Sequence, residues 1–207
     1  MKKLIFFFVI FFSSCLLADE SKDNNKTSDT SIEISGEIKR IVVGNQNAKI
    51  TIIAYESLTC SHCADFHKNV YPLLKRDYLD TGLAKIEFRH FPLDAAALNA
   101  AKISQCKNNQ GLKVLASLYS NQQAWVKGNS IEEINKNLEI FLKKESFDFN
   151  FEKCLSDKDI EDFVLNDRIE GSKNFNINAT PTIIINNKKF EKSLNYKNLK
   201  KSLEKLI

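Results

Sequence analysis

The sequence has no apolar run long enough to cross a bilayer as a stable helix. The longest, residues 4–12, is nine residues against the roughly 20 required, so an integral membrane protein is not expected. Charge of one sign is not blocked together either. Lys and Arg total 30 and Asp and Glu 26, spread along the chain for a net charge of +4, which gives no nucleic-acid footprint. Five cysteines are too few for a disulfide-framework miniprotein. Six glycines and three prolines among 207 residues, with 43% apolar and 27% charged types, exclude both a fibrous and a disordered reading. No internal repeat is present. The remaining composition is that of an ordinary globular protein, with a length that suits one domain, or one domain carrying a large insertion.

The amino end has the pattern of an export signal over residues 1–18. Lys2 and Lys3 give a positive start, residues 4–12 an apolar centre, and residues 13–18 a small-residue stretch before Asp19 and Glu20. Cleavage after Ala18 is one outcome; lipid attachment at Cys15, behind Ser13 and Ser14, is the other. Removing residues 1–18 leaves four cysteines and a charge of +2, an even count that suits pairing in an oxidising compartment. Residues 19–35 are Ser, Asp, Asn, Lys and Thr with almost no aliphatic content. They cannot bury enough surface to offset the entropy of ordering, so a flexible polar leader is expected. It is either a spacer from a membrane or a simple disordered end.

Residues 50–55 are β-branched and aromatic without alternation, the pattern of a central strand covered on both faces. Residues 41–43 suit an edge strand before it. Cys63, Phe66, Val70, Leu73 and Leu74 then recur at helical spacing, with Asp65, Lys68, Lys75 and Arg76 opposite. Pro72 should kink this helix and Gly82 end it. Residues 84–91 resume an extended pattern, Ile86 and Phe88 alternating with Glu87 and Arg89. The right-handed crossover rule makes the two strands parallel neighbours. Helical patterns follow at 95–101, 112–119, 131–141 and 160–175. Residues 182–185 read as another strand, Asn186-Asn187 as a hairpin turn, 188–190 as a return strand, and a last helix starts at Tyr196. Segments 36–93 and 174–207 together make about one small α/β domain, interrupted by a helical insert over 94–173.

The chemistry is expected at Cys60-Ser61-His62-Cys63, directly after the central strand. Two cysteines three apart on a first helical turn can bridge. Cys60 falls near the helix N-cap, where unpaired N–H groups and the dipole stabilise a thiolate, and His62 adds a cation within the loop. Both lower the Cys60 pKa below the free value of about 8.5. A stabilised thiolate favours the reduced form and makes the disulfide a stronger oxidant. Cys63, on the apolar stripe, should be shielded. Zinc is the competing chemistry, with Cys60, Cys63 and His67 as three ligands, but no second Cys/His pair stands at metal spacing. Otherwise His67 is a polar residue beside the stripe and His90 a strand residue near Phe91. Trp125 reads as core. Cys106 and Cys154, 48 apart in the insert, form either a structural disulfide or two buried free thiols. Pro181 is either a cis proline beside the cysteines or a trans proline at the entry of the 182–185 strand.

The run 50–55, the Cys-Ser-His-Cys motif, residues 78–82 (Tyr-Leu-Asp-Thr-Gly), Phe91-Pro92-Leu93 and Ala179-Thr180-Pro181-Thr182 together resemble the DsbA-type branch of the thioredoxin superfamily, from about residue 36 to the end. The resemblance implies a thioredoxin-like α/β fold with an inserted all-helical domain. It also implies a nucleophile at Cys60, a resolving thiol at Cys63, substrate contact at Thr180 and cis-Pro181, and no cofactor. Its members are exported dithiol oxidases that act on unfolded or reduced exported proteins in the periplasm or an equivalent extracytoplasmic space, and a membrane partner reoxidises them. Two residues depart from the pattern. Ser61 stands where proline is usual, and Ala54 where a buried acid is usual, six positions before Cys60; Glu56 is the acidic residue nearby. A disulfide reductase or isomerase in the same compartment is the alternative within enzymes. A non-catalytic binding or metal-delivery module on the same fold is the alternative outside them.

Overall fold

The β-branched runs assemble into one sheet that carries the cysteine motif at a strand end. The computed structural model describes residues 37–106 and 110–207, so the expected export signal, Cys15 and the polar leader lie outside the described residues. Strands β1 (Ile41–Gly44), β2 (Ile50–Glu56), β3 (Ala84–His90), β4 (Thr182–Ile185) and β5 (Lys188–Lys189) lie in the order β1-β3-β2-β4-β5. β2 and β3 are parallel, while the other neighbours are antiparallel. Central β2 is buried along nearly its whole length, as its unbroken apolar run requires. Ile52 sits in register with Ile86 on one side and Ile185 on the other. β3 alternates: Ala84, Ile86, Phe88 and His90 are buried, while Lys85, Glu87 and Arg89 are half-buried. Asn186 and Asn187 take φ of 45° and 64°, the left-handed pair that a two-residue hairpin needs.

Helix α1 (Ser61–Asn69) leaves the β2 loop, and the expected single kinked helix is in fact three pieces. α1 stops at Asn69, α2 spans Tyr71–Leu74, and a π-helical turn covers Lys75–Leu79. Pro72 stands in the first turn of α2, where its missing N–H leaves no bond unmade. The break at Val70 and the wider π turn reset the phase. Cys63, Phe66, Val70, Leu74, Tyr78 and Leu79 are buried, whereas Leu73, expected on the stripe, is only half-buried. Gly82, at φ +77°, then turns the chain into β3.

Between β3 and β4 run α3 (Ala95–Cys106), α4 (Gly111–Ser120), α5 (Gln122–Trp125), α6 (Ile131–Lys144), α7 (Phe151–Ser156) and α8 (Lys158–Phe175); α9 (Tyr196–Leu203) closes the chain. α5 and α7 were not expected, because four and six residues are too short to show a helical period. A disulfide joins Cys106 of α3 to Cys154 of α7, with Cα atoms 5.6 Å apart. α8 packs against β3 and α3. It approaches so closely that a Cβ at Gly171 would lie 2.7 Å from Tyr55 Cε1. Polar groups lock the same contact: Asp167 of α8 pairs with Arg40 and accepts the His90 backbone N–H at 3.2 Å. His90, expected beside Phe91, is buried with its ring accepting from the Gln105 amide at 2.9 Å. Burial, with the Arg40 charge, brings its pKa down to about 4. Among the described residues no helix is long and apolar enough to cross a membrane.

Candidate active site

β2 ends at Glu56, and Ser57, Leu58 and Thr59 turn the chain into Cys60, the N-cap of α1. Cys60 has extended backbone angles, φ −79° and ψ 119°, and its carbonyl accepts from the N–H groups of Cys63 and Ala64 at 3.1 and 3.2 Å. No side chain caps this helix. Its first-turn N–H groups therefore keep their polarity for the Cys60 sulfur. Cys60 is half-buried and Cys63 fully buried, and both are free thiols.

The 179–182 segment completes the site. The Thr180–Pro181 peptide is cis, and the Cys60 thiol donates to the Thr180 carbonyl at 3.3 Å. The Thr180 hydroxyl is buried without a hydrogen-bond partner among the described residues. Cys60, Cys63, Thr180 and Pro181 thus converge from opposite ends of the sequence. Beside them lies an open cleft of about 500 Å³ lined by His62, Asp65, Asn69, Thr180, Pro181 and Asn195 among others.

The two sulfurs have opposite ionisation tendencies. The Cys63 thiol beside it is the largest influence bringing Cys60 down to about 5; the N–H groups of Cys63 and His62 act in the same direction, against partial burial. Burial, then the Cys60 sulfur and the Glu56 charge, push Cys63 far up. His62 acts on Cys60 through its backbone N–H, while its exposed imidazole faces the cleft.

His67, expected as a polar residue beside the stripe, is largely buried there. It lies one turn beyond Cys63, stacked on Tyr119 at 4.1 Å, with Nε2 2.8 Å from Glu56 Oε2 and only 7% of its side chain exposed. Glu56 supplies the partner that makes this burial tolerable. Among the described residues no group of three His, Cys, Asp or Glu is placed to hold a metal ion. Cys106 and Cys154 are tied to each other in the helical stretch.

Sequence reasoning missed the supports of the loop. Leu93 N–H donates to Ser57 Oγ at 3.3 Å, Thr59 Oγ1 donates to Asp94 Oδ2 at 2.7 Å, and the Gln122 amide donates to the carbonyls of Leu58 and Cys60 at 2.7 and 3.0 Å. Asp94 also accepts the Ala97 N–H at 2.7 Å, and an Asp immediately ahead of an alanine-rich helix is a readable cap signal. Gln122, in a four-residue helix, carries no such signal.

A family model described as thioredoxin matches residues 37–205. Disulfide bond formation protein D of Bacillus subtilis is 26% identical over 195 residues, covering 88% of this chain and 85% of that protein. A Rickettsia prowazekii relative, named for protein-disulfide oxidoreductase activity, is 28% identical over 132 residues, 55% of this chain and 48% of its own length. The chain spans about half the length of such relatives. The crystal structure of Wolbachia pipientis α-DsbA1 superposes with a TM-score of 0.71 at 29% identity, over 83% of this chain and 92% of that one. The shared architecture is a thioredoxin-like α/β fold with an inserted all-helical domain. With the family model covering most of its length and a DsbA structure superposing over 83% of it, the chain belongs to the thioredoxin family, in its DsbA-like branch.

Proposed function

We propose that the protein is an exported thiol:disulfide oxidoreductase acting as an oxidase, with Cys60, His62 and Cys63 in the reacting motif and Thr180 and Pro181 against the substrate. One observation carries this reading: a half-buried, readily ionised sulfur at a helix N-cap stands next to a sealed one that resists ionisation. In the oxidised state a substrate thiolate attacks Cys60 Sγ. The S–S bond breaks, and Cys63 leaves with the electron pair and takes up a proton. A second substrate thiolate then attacks the substrate sulfur of the mixed disulfide, and Cys60 leaves as a thiolate. The substrate loses two electrons and the 60–63 pair gains them. The stabilised Cys60 anion is the better leaving group of the two, which drives the transfer toward oxidised substrate.

The substrates on this reading are reduced or unfolded exported proteins, and a membrane redox partner removes the two electrons. Residues 1–18 would direct export to the periplasm or an equivalent extracytoplasmic space. Segments 36–93 and 174–207 would form the redox core, and 94–173 the insert. The test is the equilibrium of the 60–63 pair against glutathione, joined to oxidative refolding of a reduced secreted protein. A potential near about −120 mV with refolding activity is expected; one near about −270 mV with insulin reduction would make the protein a reductase.

A further inference from the structure

The redox loop is held from outside the sheet, by residues of the helical stretch. Gln122 is 92% buried, and its one amide nitrogen reaches the carbonyls of Leu58 and Cys60, on either side of Thr59. The Cys60 carbonyl consequently accepts from three donors: the N–H groups of Cys63 and Ala64, and Gln122. That fixes the plane of the peptide joining Cys60 to Ser61, the unit on which the direction of the first helical N–H groups depends. The gripping residue is itself anchored. Three residues on, Trp125 is fully buried and donates its indole N–H to the Leu118 carbonyl at 3.0 Å, tying α5 to α4. Leu93 and Asp94, at the start of the same stretch, hold Ser57 and Thr59. Four consecutive residues of the loop therefore each bond to a residue between β3 and β4.

We propose that Gln122 is a positioning residue for the redox motif: its amide, carried on α5, clamps the Leu58 and Cys60 carbonyls and so keeps the Cys60 sulfur against the first-turn N–H groups of α1. The helices between β3 and β4 thereby set how readily the reacting thiol ionises, in addition to any surface they offer a substrate. Without Gln122 the Cys60 carbonyl keeps only its two helical donors and the Leu58 carbonyl loses the donor it had; that carbonyl would turn toward another, and the peptides leading into Cys60 would rotate with it. The inference rests on the oxidoreductase reading only for its importance to turnover, not for its geometry.

The test is the pH dependence of Cys60 alkylation in the full mature chain. Gln122→Met keeps the side-chain length and removes the donor. It should move the ionisation midpoint upward by about one pH unit, a roughly tenfold loss of thiolate below the midpoint, with an unchanged far-ultraviolet spectrum. Gln122→Glu, which when ionised cannot donate and adds a negative charge, should move it further. Gln122→Asn keeps the amide but withdraws it by a methylene; if the Met variant does not fold, the Asn variant should show the same upward displacement. Midpoints equal to wild type in the folded variants, with only a lower melting temperature, would reduce Gln122 to a structural hydrogen bond and overturn the proposal. A wild-type protein that catalyses no exchange while these shifts persist would instead sink the oxidase reading and leave this one standing.

Discussion

The Glu56 carboxylate meets the His67 imidazole at 2.8 Å with both side chains almost sealed from solvent, and its other oxygen, Oε1, has no hydrogen-bond partner among the described residues. Tyr119 stacks on the imidazole, and Tyr71 lies 5.4 Å from it. The Glu56 charge helps to keep the Cys63 thiol protonated, after burial and the neighbouring sulfur. Replacing it by an amide of the same shape should therefore ease ionisation of Cys63. A leaving thiol that ionises more easily departs faster, so Glu56→Gln is expected to speed reduction of the 60–63 disulfide by dithiothreitol by about 2- to 5-fold. Quenched thiol counting at fixed times measures it. An unchanged or slower rate would mean that the carboxylate is not felt at Cys63.

The reduced protein should gain stability over the oxidised one as the pH rises. Cys60 ionises near 5 when folded and near 8.5 when free. Across that window the unfolded chain holds a proton that the folded chain has released, so reduced-state stability grows with pH and is lost as the pH falls through 5. The oxidised form has no such thiol. His90, brought down to about 4 from an unfolded value near 6.5, makes both forms weaken as the pH falls from 6.5 toward 4, and subtraction removes it. Melting temperatures of the two redox forms between about pH 5 and 8 should diverge upward in favour of the reduced form; parallel curves would contradict a depressed Cys60.

The Cys106–Cys154 bond closes a loop of 48 residues between α3 and α7. Loss of such a crosslink relaxes the unfolded chain, and Cys106→Ala with Cys154→Ala is expected to cost about 2–4 kcal/mol in urea unfolding. Neither sulfur is among the groups that set the Cys60 ionisation, so the alkylation profile of Cys60 should be unchanged. A shift in that profile would reveal a coupling that the geometry does not contain.

Periodicity carried much of the fold and adjacency carried much of the site. Residues 50–55, the alternation in β3 and Asn186-Asn187 are local patterns, and each corresponds to an element of the sheet. Cys60 and Cys63 are legible because spacing along one helical turn fixes their separation. Leu73 misled, since the helix stops at Asn69 and restarts at Tyr71, a break that no hydrophobic pattern announces. His67, Gln122 and Asp167 were opaque for a different reason. Their partners, Glu56, the Leu58 and Cys60 carbonyls, and Arg40, are 11 to 127 residues away, and a polar side chain carries no mark of a distant partner.

Asp167 gives that last class its most direct test. It is 1% exposed on α8, receives Arg40 from the segment before β1, and accepts the His90 N–H at the end of β3. Burial pushes its pKa up, while Arg40 and the His90 N–H work against that. Removing the carboxylate strands a half-buried guanidinium and a buried backbone donor together. Breaking one partner of a buried pair costs about 3–5 kcal/mol. Arg40 keeps Glu87 at 3.2 Å and Glu170 at 3.6 Å, which places Asp167→Ala at the lower end, about 3 kcal/mol. Asp167→Asn should cost less, because the amide oxygen still accepts from His90. Urea unfolding of the two variants measures both values. A loss under about 0.5 kcal/mol for the alanine variant, the range of an ordinary surface substitution, would show that α8 is held to the sheet by its apolar contacts, Tyr55 of β2 against Gly171 among them.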